Sequence, residues 1–71
     1  MTQKQAVSIT TDFIKLEGLL KFAGVTGTGG EAKVLIQDGN VRVNGEVCLM
    51  RGKKIRVGDT ITLPGIELTV T

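Results

Sequence analysis

A tight hairpin signal, Asn44-Gly45, constrains this chain more than any other feature of its sequence. The residues before it, Val41 to Val43, alternate apolar and charged, which is the period of a half-buried strand. An Asn-Gly pair favours a two-residue turn in which both residues adopt positive φ. The resulting register pairs Val43 with Glu46, Arg42 with Val47 and Val41 with Cys48. Cys48 is therefore predicted to share the buried face of Val41 and to act as an unreactive packing residue.

A glycine-rich turn and a short helix precede this hairpin. The helix is predicted to begin at Gly30-Glu31, since an acid is favoured at the positive end of the helix dipole. Ala32, Leu35 and Ile36 fall within one arc at 3.6 residues per turn, so this face is predicted to be buried. Gly39 follows where a left-handed C-terminal cap is needed.

An earlier helix is indicated by an apolar stripe at helical spacing. Thr11-Asp12 is predicted to cap this helix and Gly24 to end it. Phe22 lies off the stripe and is expected to pack beneath the second helix. Residues 1–5 are polar and expected to be loose, and residues 6–10 carry the weak pattern of an edge strand. The stripe consists of Phe13, Leu16, Leu19, Leu20 and Ala23.

The last third of the chain alternates in the manner of strands. A basic loop, residues 51–56, is expected to be anchored by its one apolar residue, Ile55. It leads to Thr60–Leu63 and then to Ile66–Val70, which alternates cleanly. With 71 residues the chain is predicted to be one domain over residues 1–71. Its predicted class is α+β: a two-helix, helix-turn-helix unit packed on a small antiparallel sheet of four to five short strands.

The composition argues against catalysis. The chain has no histidine to act as a base, and its single thiol, Cys48, is predicted to be buried. One cysteine provides neither a disulfide nor a set of soft ligands, so no metal and no cofactor are expected. A lone cysteine suits a reducing cytoplasm, and no apolar run is long enough to cross a membrane. No small-molecule substrate is indicated.

The basic residues are unevenly distributed. Five of the nine lie between Arg42 and Arg56, where Glu46 is the single acid. The Gly27-x-Gly29-Gly30 loop opens a helix whose free N–H groups can bind a phosphate oxygen, and Lys33 is predicted on the exposed side of that helix. A solvated charged loop and a sharp inter-helix turn explain these features equally well when each is taken alone. Their coincidence favours a phosphate-binding surface.

The low aromatic content indicates which kind of nucleic acid the chain binds. Only 3% of the residues are aromatic, with no tyrosine or tryptophan, which argues against stacking on single strands. Structured RNA read through its shape and backbone fits better.

Three stretches of the chain resemble the S4-like RNA-binding domain, a family named after a protein of the small ribosomal subunit. Lys15-Leu16-Glu17 is similar to the family's Arg-Leu-Asp helix start, and residues 28–32 to its Ser-Arg-x-x-Ala turn, with Gly29 in place of arginine. The hairpin stretch 39–45 matches Gly-x-Val-x-Val-Asn-Gly fully, and Gly58-Asp59 matches a later turn. The resemblance covers residues 15–63 and is greatest to small stand-alone bacterial members.

This resemblance implies an αL-type motif that binds structured RNA, with ribosomal RNA as one candidate, through the two-helix face and the adjoining hairpin. Because Gly29 replaces arginine, the contacts are expected to shift towards Lys33 and the basic loop. The candidate RNA-binding residues are Lys15, Thr28, Gly29, Gly30, Lys33, Arg42, Asn44, Arg51, Lys53, Lys54 and Arg56.

Two other interpretations remain open from the sequence. Residues 43–46, Arg51 and residues 58–61 are similar to the tail half of small ubiquitin-like sulfur carriers. Those carriers act through a C-terminal Gly-Gly, whereas this chain ends Leu68-Thr69-Val70-Thr71 and has two helices before the hairpin. The third interpretation is a protein-binding adaptor in a ribosome- or nucleic-acid-associated assembly. The sequence does not specify the oligomeric state.

Overall fold

The computed structural model describes residues 2–71, and the expectation made for Met1 lies outside them. The helices pack on one face of a sheet, which confirms the α+β class. In chain order the elements are β1 (Gln3–Val7), β2 (Ile14–Lys15), α1 (Leu16–Phe22), α2 (Gly29–Gln37), β3 (Arg42–Val43), β4 (Glu46–Val47), β5 (Lys54–Ile55), β6 (Thr60–Leu63) and β7 (Ile66–Val70).

The main sheet has five strands in the order β1-β7-β6-β3-β4. Its neighbours are antiparallel as predicted, except that β1 runs parallel to β7, with Gln3 opposite Ile66 and Val7 opposite Val70. The sheet is therefore mixed rather than wholly antiparallel. A second, two-stranded sheet pairs β2 with β5.

The prediction for the start of the chain was wrong in its bounds. The strand spans Gln3–Val7, so residues 3–5 are paired rather than loose, and residues 8–10 lie beyond its end. The cause is tertiary: the outer edge of β7 provides backbone partners for polar residues whose side chains carry no strand pattern of their own. Val7, the last residue of the strand, is buried.

The two faces of the main sheet differ sharply. Val43, Ile61 and Leu68 lie opposite one another on β3, β6 and β7, and all three are buried against the helices. The neighbouring row crosses the sheet from Arg42 through Thr62 and Glu67 to Lys4. Because successive residues of a strand point to opposite faces, this row lies on the outer face.

The first helix begins later than predicted. Its first residue is Leu16, and Lys15 before it has an extended backbone and gives no side-chain cap. Thr11 does not cap the helix, since its hydroxyl donates to the Phe13 carbonyl at 2.8 Å. Pairing of Ile14 with Ile55 in the second sheet keeps the chain extended up to Lys15, which overrides the local capping signal.

The apolar stripe of the first helix is correct for its three leucines. Phe13 was wrongly placed in it, since it lies before β2, outside the helix, and is only partly buried. Leu16, Leu19 and Leu20 are buried, and the helix ends before Gly24. Phe22 is 64% exposed rather than packed beneath α2. It lies two residues after Leu20, roughly 200° around the helix, and so faces away from the core.

The second helix and the hairpin form as predicted. Helix α2 buries Ala32 and Ile36, whereas Leu35, also predicted on the buried face, is only partly buried. Gly39 adopts φ +80° after the helix. Asn44 and Gly45 have φ +52° and +88°, which confirms the two-residue turn and its positive φ values. The hairpin register is also confirmed, since Arg42 pairs with Val47, Val43 pairs with Glu46, and the Cys48 N–H donates to the Val41 carbonyl at 3.0 Å.

Cys48 is less enclosed than predicted. It packs against the core but is half-buried rather than buried. Its thiol donates to the Met50 carbonyl at a sulfur–oxygen distance of 3.6 Å. The chain leaves β4 at Val47, so Cys48 lies at the rim of the sheet, where no strand covers its outer side.

Candidate nucleic-acid interface

Four cations meet where the basic loop runs beside the start of α1. The Leu16 N–H donates to the Lys53 carbonyl at 2.9 Å, and the Glu17 N–H donates to the Arg51 carbonyl at 3.0 Å. Lys15 lies directly opposite Lys54 in the two-stranded sheet. We call Lys15, Arg51, Lys53 and Lys54 the basic cluster. Its backbone is held by hydrogen bonds on both sides, while its side chains are exposed.

The cations of the basic cluster form no ion pairs within residues 2–71. Lys4 with Glu67, on the outer face of the main sheet, forms the only ion pair within residues 2–71. No cation of the cluster therefore forms an ion pair in the described part of the chain, although Lys53 is near enough to Asp59 to help lower the pKa of that carboxyl. Like charges directly opposite on paired strands are destabilising, as Lys15 and Lys54 are here. A polyanion placed over the cluster would relieve this repulsion.

An aromatic ring orients one of these cations. The Lys54 Nζ atom lies 4.9 Å from the centroid of the Phe13 ring, within the range of a cation–π contact. Phe13 lies just before β2, and Ile55, next to Lys54, is buried in the core. The buried Ile55 holds β5 in place while Lys54 remains on the surface, as the sequence predicted for an apolar residue within the basic loop.

The start of α2 is already occupied by the chain's own groups. The Thr28 hydroxyl accepts from the Glu31 N–H at 3.2 Å, and Glu31 Oε2 accepts from the Gly27 N–H at 3.1 Å. The glycine-rich loop therefore has a carboxylate beside it. A phosphate approaching this loop would meet a negative charge, so the predicted phosphate cradle has a competitor within the chain.

Gly29 and Gly30 are not required by the backbone. Neither has positive φ, and a Cβ on Gly29 would come no closer than 4.0 Å to another atom, the Cδ of Lys21. The site where the family carries arginine thus has room for a side chain. The contact also places Lys21 beside the start of α2, a placement that the sequence did not reveal because Lys21 follows Glu17 at the spacing of a helix-stabilising pair.

Asn44 lies in a hydrogen-bond network within the protein. Its Nδ2 donates to Asp59 Oδ1 at 3.1 Å, and its Oδ1 accepts from the Thr60 N–H at 2.9 Å. Asp59 Oδ2 accepts from the Arg56 N–H at 2.8 Å. The bond from the Arg56 backbone, with help from Asn44, lowers the pKa of the Asp59 carboxyl. The network ties the hairpin turn to the turn that precedes β6.

The remaining candidate residues are not gathered into the basic cluster. Arg42 lies on the outer face of the main sheet, away from the face that carries the helices. Lys33 is exposed on α2, and within residues 2–71 no hydrogen bond or strand pairing links it to the cluster. Arg56 is exposed at the Asp59 turn. The structure thus brings together four of the eleven predicted residues through backbone pairing.

Among residues 2–71, no group of three His, Cys, Asp or Glu side chains is placed to hold a metal ion. In the same part of the chain, no helix is both long and apolar enough to span a bilayer. The arrangement is suited to binding phosphate groups through exposed lysine and arginine side chains.

The fold and this surface define an α+β module with an exposed basic cluster beside the start of its first helix. A family model described as the S4 domain matches residues 7–71. The chain belongs to the S4 domain family.

Two bacterial proteins illustrate the similarity. The chain is 41% identical over 59 residues to the Bacillus subtilis (strain 168) protein named "Probable ribosome maturation protein RlbA", covering 83% of each chain. It is 35% identical over 57 residues to the Escherichia coli (strain K12) protein named "Putative RNA-binding protein YbcJ", covering 80% of this chain and 81% of the relative.

Proposed function

We propose that this protein binds structured RNA through phosphate and shape contacts and carries out no chemistry on it. The observation that carries the proposal is the basic cluster, in which backbone pairing holds four cations side by side and none of them forms an ion pair within residues 2–71. Membership of the S4 domain family and the printed name of the E. coli relative support RNA as the polyanion.

Ribosomal RNA is the form of structured RNA that we propose. The support is the printed name of the B. subtilis relative, which refers to ribosome maturation. We place the activity in the cytoplasm on the same ground. Lys33 and Arg56 are proposed to extend the contact beyond the basic cluster.

The proposal is tested by a salt titration of binding to one stem-loop RNA. If each cation of the basic cluster meets one phosphate, a plot of log affinity against log salt has a slope of about −3, at roughly 0.7 to 0.9 counterions released per contact. The double variant Lys53→Ala/Lys54→Ala should reduce the magnitude of this slope by about 1 to 2 and weaken binding to many structured RNAs. Its thermal stability should change little because exposed charges contribute little.

Arg42→Ala is the matched control, because Arg42 is an exposed cation on the outer face of the sheet. It should leave the slope unchanged. An unchanged affinity and slope for the double variant would make the basic cluster a solvated surface and refute the proposed mode of binding.

Gly29→Arg provides a gain-of-function arm. The site has room for a side chain, and a helical arginine costs less than glycine by about 1 kcal/mol. The variant should bind RNA more tightly and with a steeper salt dependence. An unchanged affinity and salt dependence for Gly29→Arg would show that the start of α2 lies outside the RNA contact.

A further inference from the structure

A surface groove of about 750 Å³ lies between the hairpin and the segment from β5 to the Asp59 turn. Four residues with large apolar side chains line it, and each residue is 50 to 66% exposed. They are Val47, Leu49, Met50 and Val57. Single exposed apolar residues are ordinary on a protein surface, but four that share one groove are typical of an interaction site.

The groove is held in shape by hydrogen bonds. Met50 O accepts both the Cys48 thiol and the Lys53 N–H, the latter at 3.1 Å, which fixes the segment that carries Leu49. On the other side, Asp59 accepts the Arg56 N–H and the Asn44 amide. A partner therefore meets a preorganised surface and loses less conformational entropy in ordering it.

Cations lie along one wall of the groove. Lys53, Lys54 and Arg56 line it. Asp59, which also lines it, directs both carboxylate oxygens to groups of the chain itself. Within the described residues none of the three cations forms an ion pair. The complementary surface is therefore apolar at its centre and negative beside it.

The apolar lining distinguishes a protein partner from RNA. All four side chains are aliphatic or thioether groups, and no aromatic ring lines the groove. Nucleobases gain binding energy chiefly by stacking on aromatic rings, whereas aliphatic and methionine surfaces are best covered by apolar side chains.

The backbone favours an extended partner. Strand β4 is an outer strand of the main sheet, and both of its residues line the groove. Because Glu46 and Cys48 bond inward to β3 and Val41, the alternation of an antiparallel pair turns the N–H and C=O of Val47 outward. An extended segment can pair with such an edge.

We propose that this groove docks an extended, acidic segment of a protein partner that carries apolar residues and Asp or Glu on the same face. Residues two apart in an extended segment share a face, so its apolar side chains can cover the apolar residues of the groove while its carboxylates lie beside Lys53, Lys54 and Arg56. This is a second binding function, distinct from RNA recognition, although Lys53 and Lys54 belong to both surfaces.

The test uses the full chain and three fluorescent probes in anisotropy titrations. They are a short peptide of Leu-Ser-Glu-Ser repeats (the Glu/Leu peptide), a peptide of the same length and charge with Ser in place of Leu (the Glu/Ser peptide), and a short oligouridine. The Glu/Leu peptide should bind about tenfold or more tightly than the Glu/Ser peptide. When the Glu/Leu peptide is added, the amide NMR signals of the protein that shift should be those of β4 and residues 49 and 50.

Leu49→Ser/Met50→Ser should weaken the Glu/Leu peptide about tenfold or more and leave stem-loop RNA affinity unchanged. Val34→Ser is the matched control, because Val34 is equally exposed but lies on α2. It should leave peptide binding unchanged. Val57→Ser tests the opposite wall and should also weaken the peptide.

Equal affinities for the two peptides would show that only the charge of the peptide drives binding and that the apolar residues of the groove take no part. That result would overturn the proposal. If oligouridine shifts the amide NMR signals of residues 49 and 50 and the Glu/Leu peptide does not bind, the groove is a nucleotide site. That result would also overturn the proposal. Both outcomes are separate from the stem-loop titration, so RNA binding stands or fails independently.

Discussion

Substitution of Asn44 by alanine separates a turn residue from an RNA contact. Asn44→Ala removes two hydrogen bonds, to Asp59 and from Thr60, at the surface of the protein. Because water competes at this site, each is worth about 0.5 to 1 kcal/mol. Alanine must also adopt the left-handed backbone at φ +52°, which costs about 1 kcal/mol more. The free energy of unfolding should therefore fall by about 2 to 3 kcal/mol.

This loss is large for the chain. A domain of this size has a free energy of unfolding of about 4 to 10 kcal/mol. The melting temperature should fall by about 10 to 20 °C, as followed by circular dichroism. Asn44→Gly, which adopts positive φ freely, should recover about 1 kcal/mol of the loss. Asn40→Ala is the control, since Asn40 is exposed and makes no side-chain hydrogen bond within residues 2–71.

The RNA titration completes the test. At a temperature where Asn44→Ala remains folded, its RNA affinity should match that of the wild type, because its side chain already has partners within the protein. A normal melting temperature combined with a tenfold or greater loss of RNA affinity would refute this reasoning and return Asn44 to the RNA contact.

Two further predictions concern single groups. The pKa of Asp59 is lowered in the folded protein, chiefly by the hydrogen bond from the Arg56 N–H. Asp59 therefore contributes stability above its unfolded pKa of about 4 and loses that contribution as the pH falls through its folded pKa. Urea denaturation at several pH values should show that Asp59→Asn weakens this acid dependence. Cys48 is half-buried and its thiol is hydrogen-bonded, so a thiol reagent should label it much more slowly in the native protein than in the unfolded protein. Cys48→Ala should change stability but not RNA affinity. Equal labelling rates in the native and unfolded protein would contradict the packing role of Cys48.

The sequence by itself determined the features that local backbone chemistry controls. Asn44-Gly45 specifies a turn because few other pairs adopt two consecutive positive φ values at low cost. Gly39 caps α2 for the same reason, and the alternation around the turn then sets which side chains are buried. Ile55 within the basic loop was predictable because a single apolar residue among cations has one favourable place, the core.

Tertiary structure decided the features that depend on pairing between distant segments. Gln3–Val7 is a strand only because β7 lies beside it, and α1 starts at Leu16 only because Ile14 pairs with Ile55. The composition of neither segment indicates which distant segment it pairs with.

The candidate site divides in the same way. The sequence found the cations of the basic loop, but it placed Arg42 among them, whereas strand alternation puts Arg42 on the outer face. It could not find the pairing of Lys15 with Lys54 or the placement of Lys21 beside Gly29. A charged side chain is equally well solvated on any exposed face, so the neighbouring sequence does not indicate which other charges lie on the same face. Only the packing of strands and helices brings such charges together.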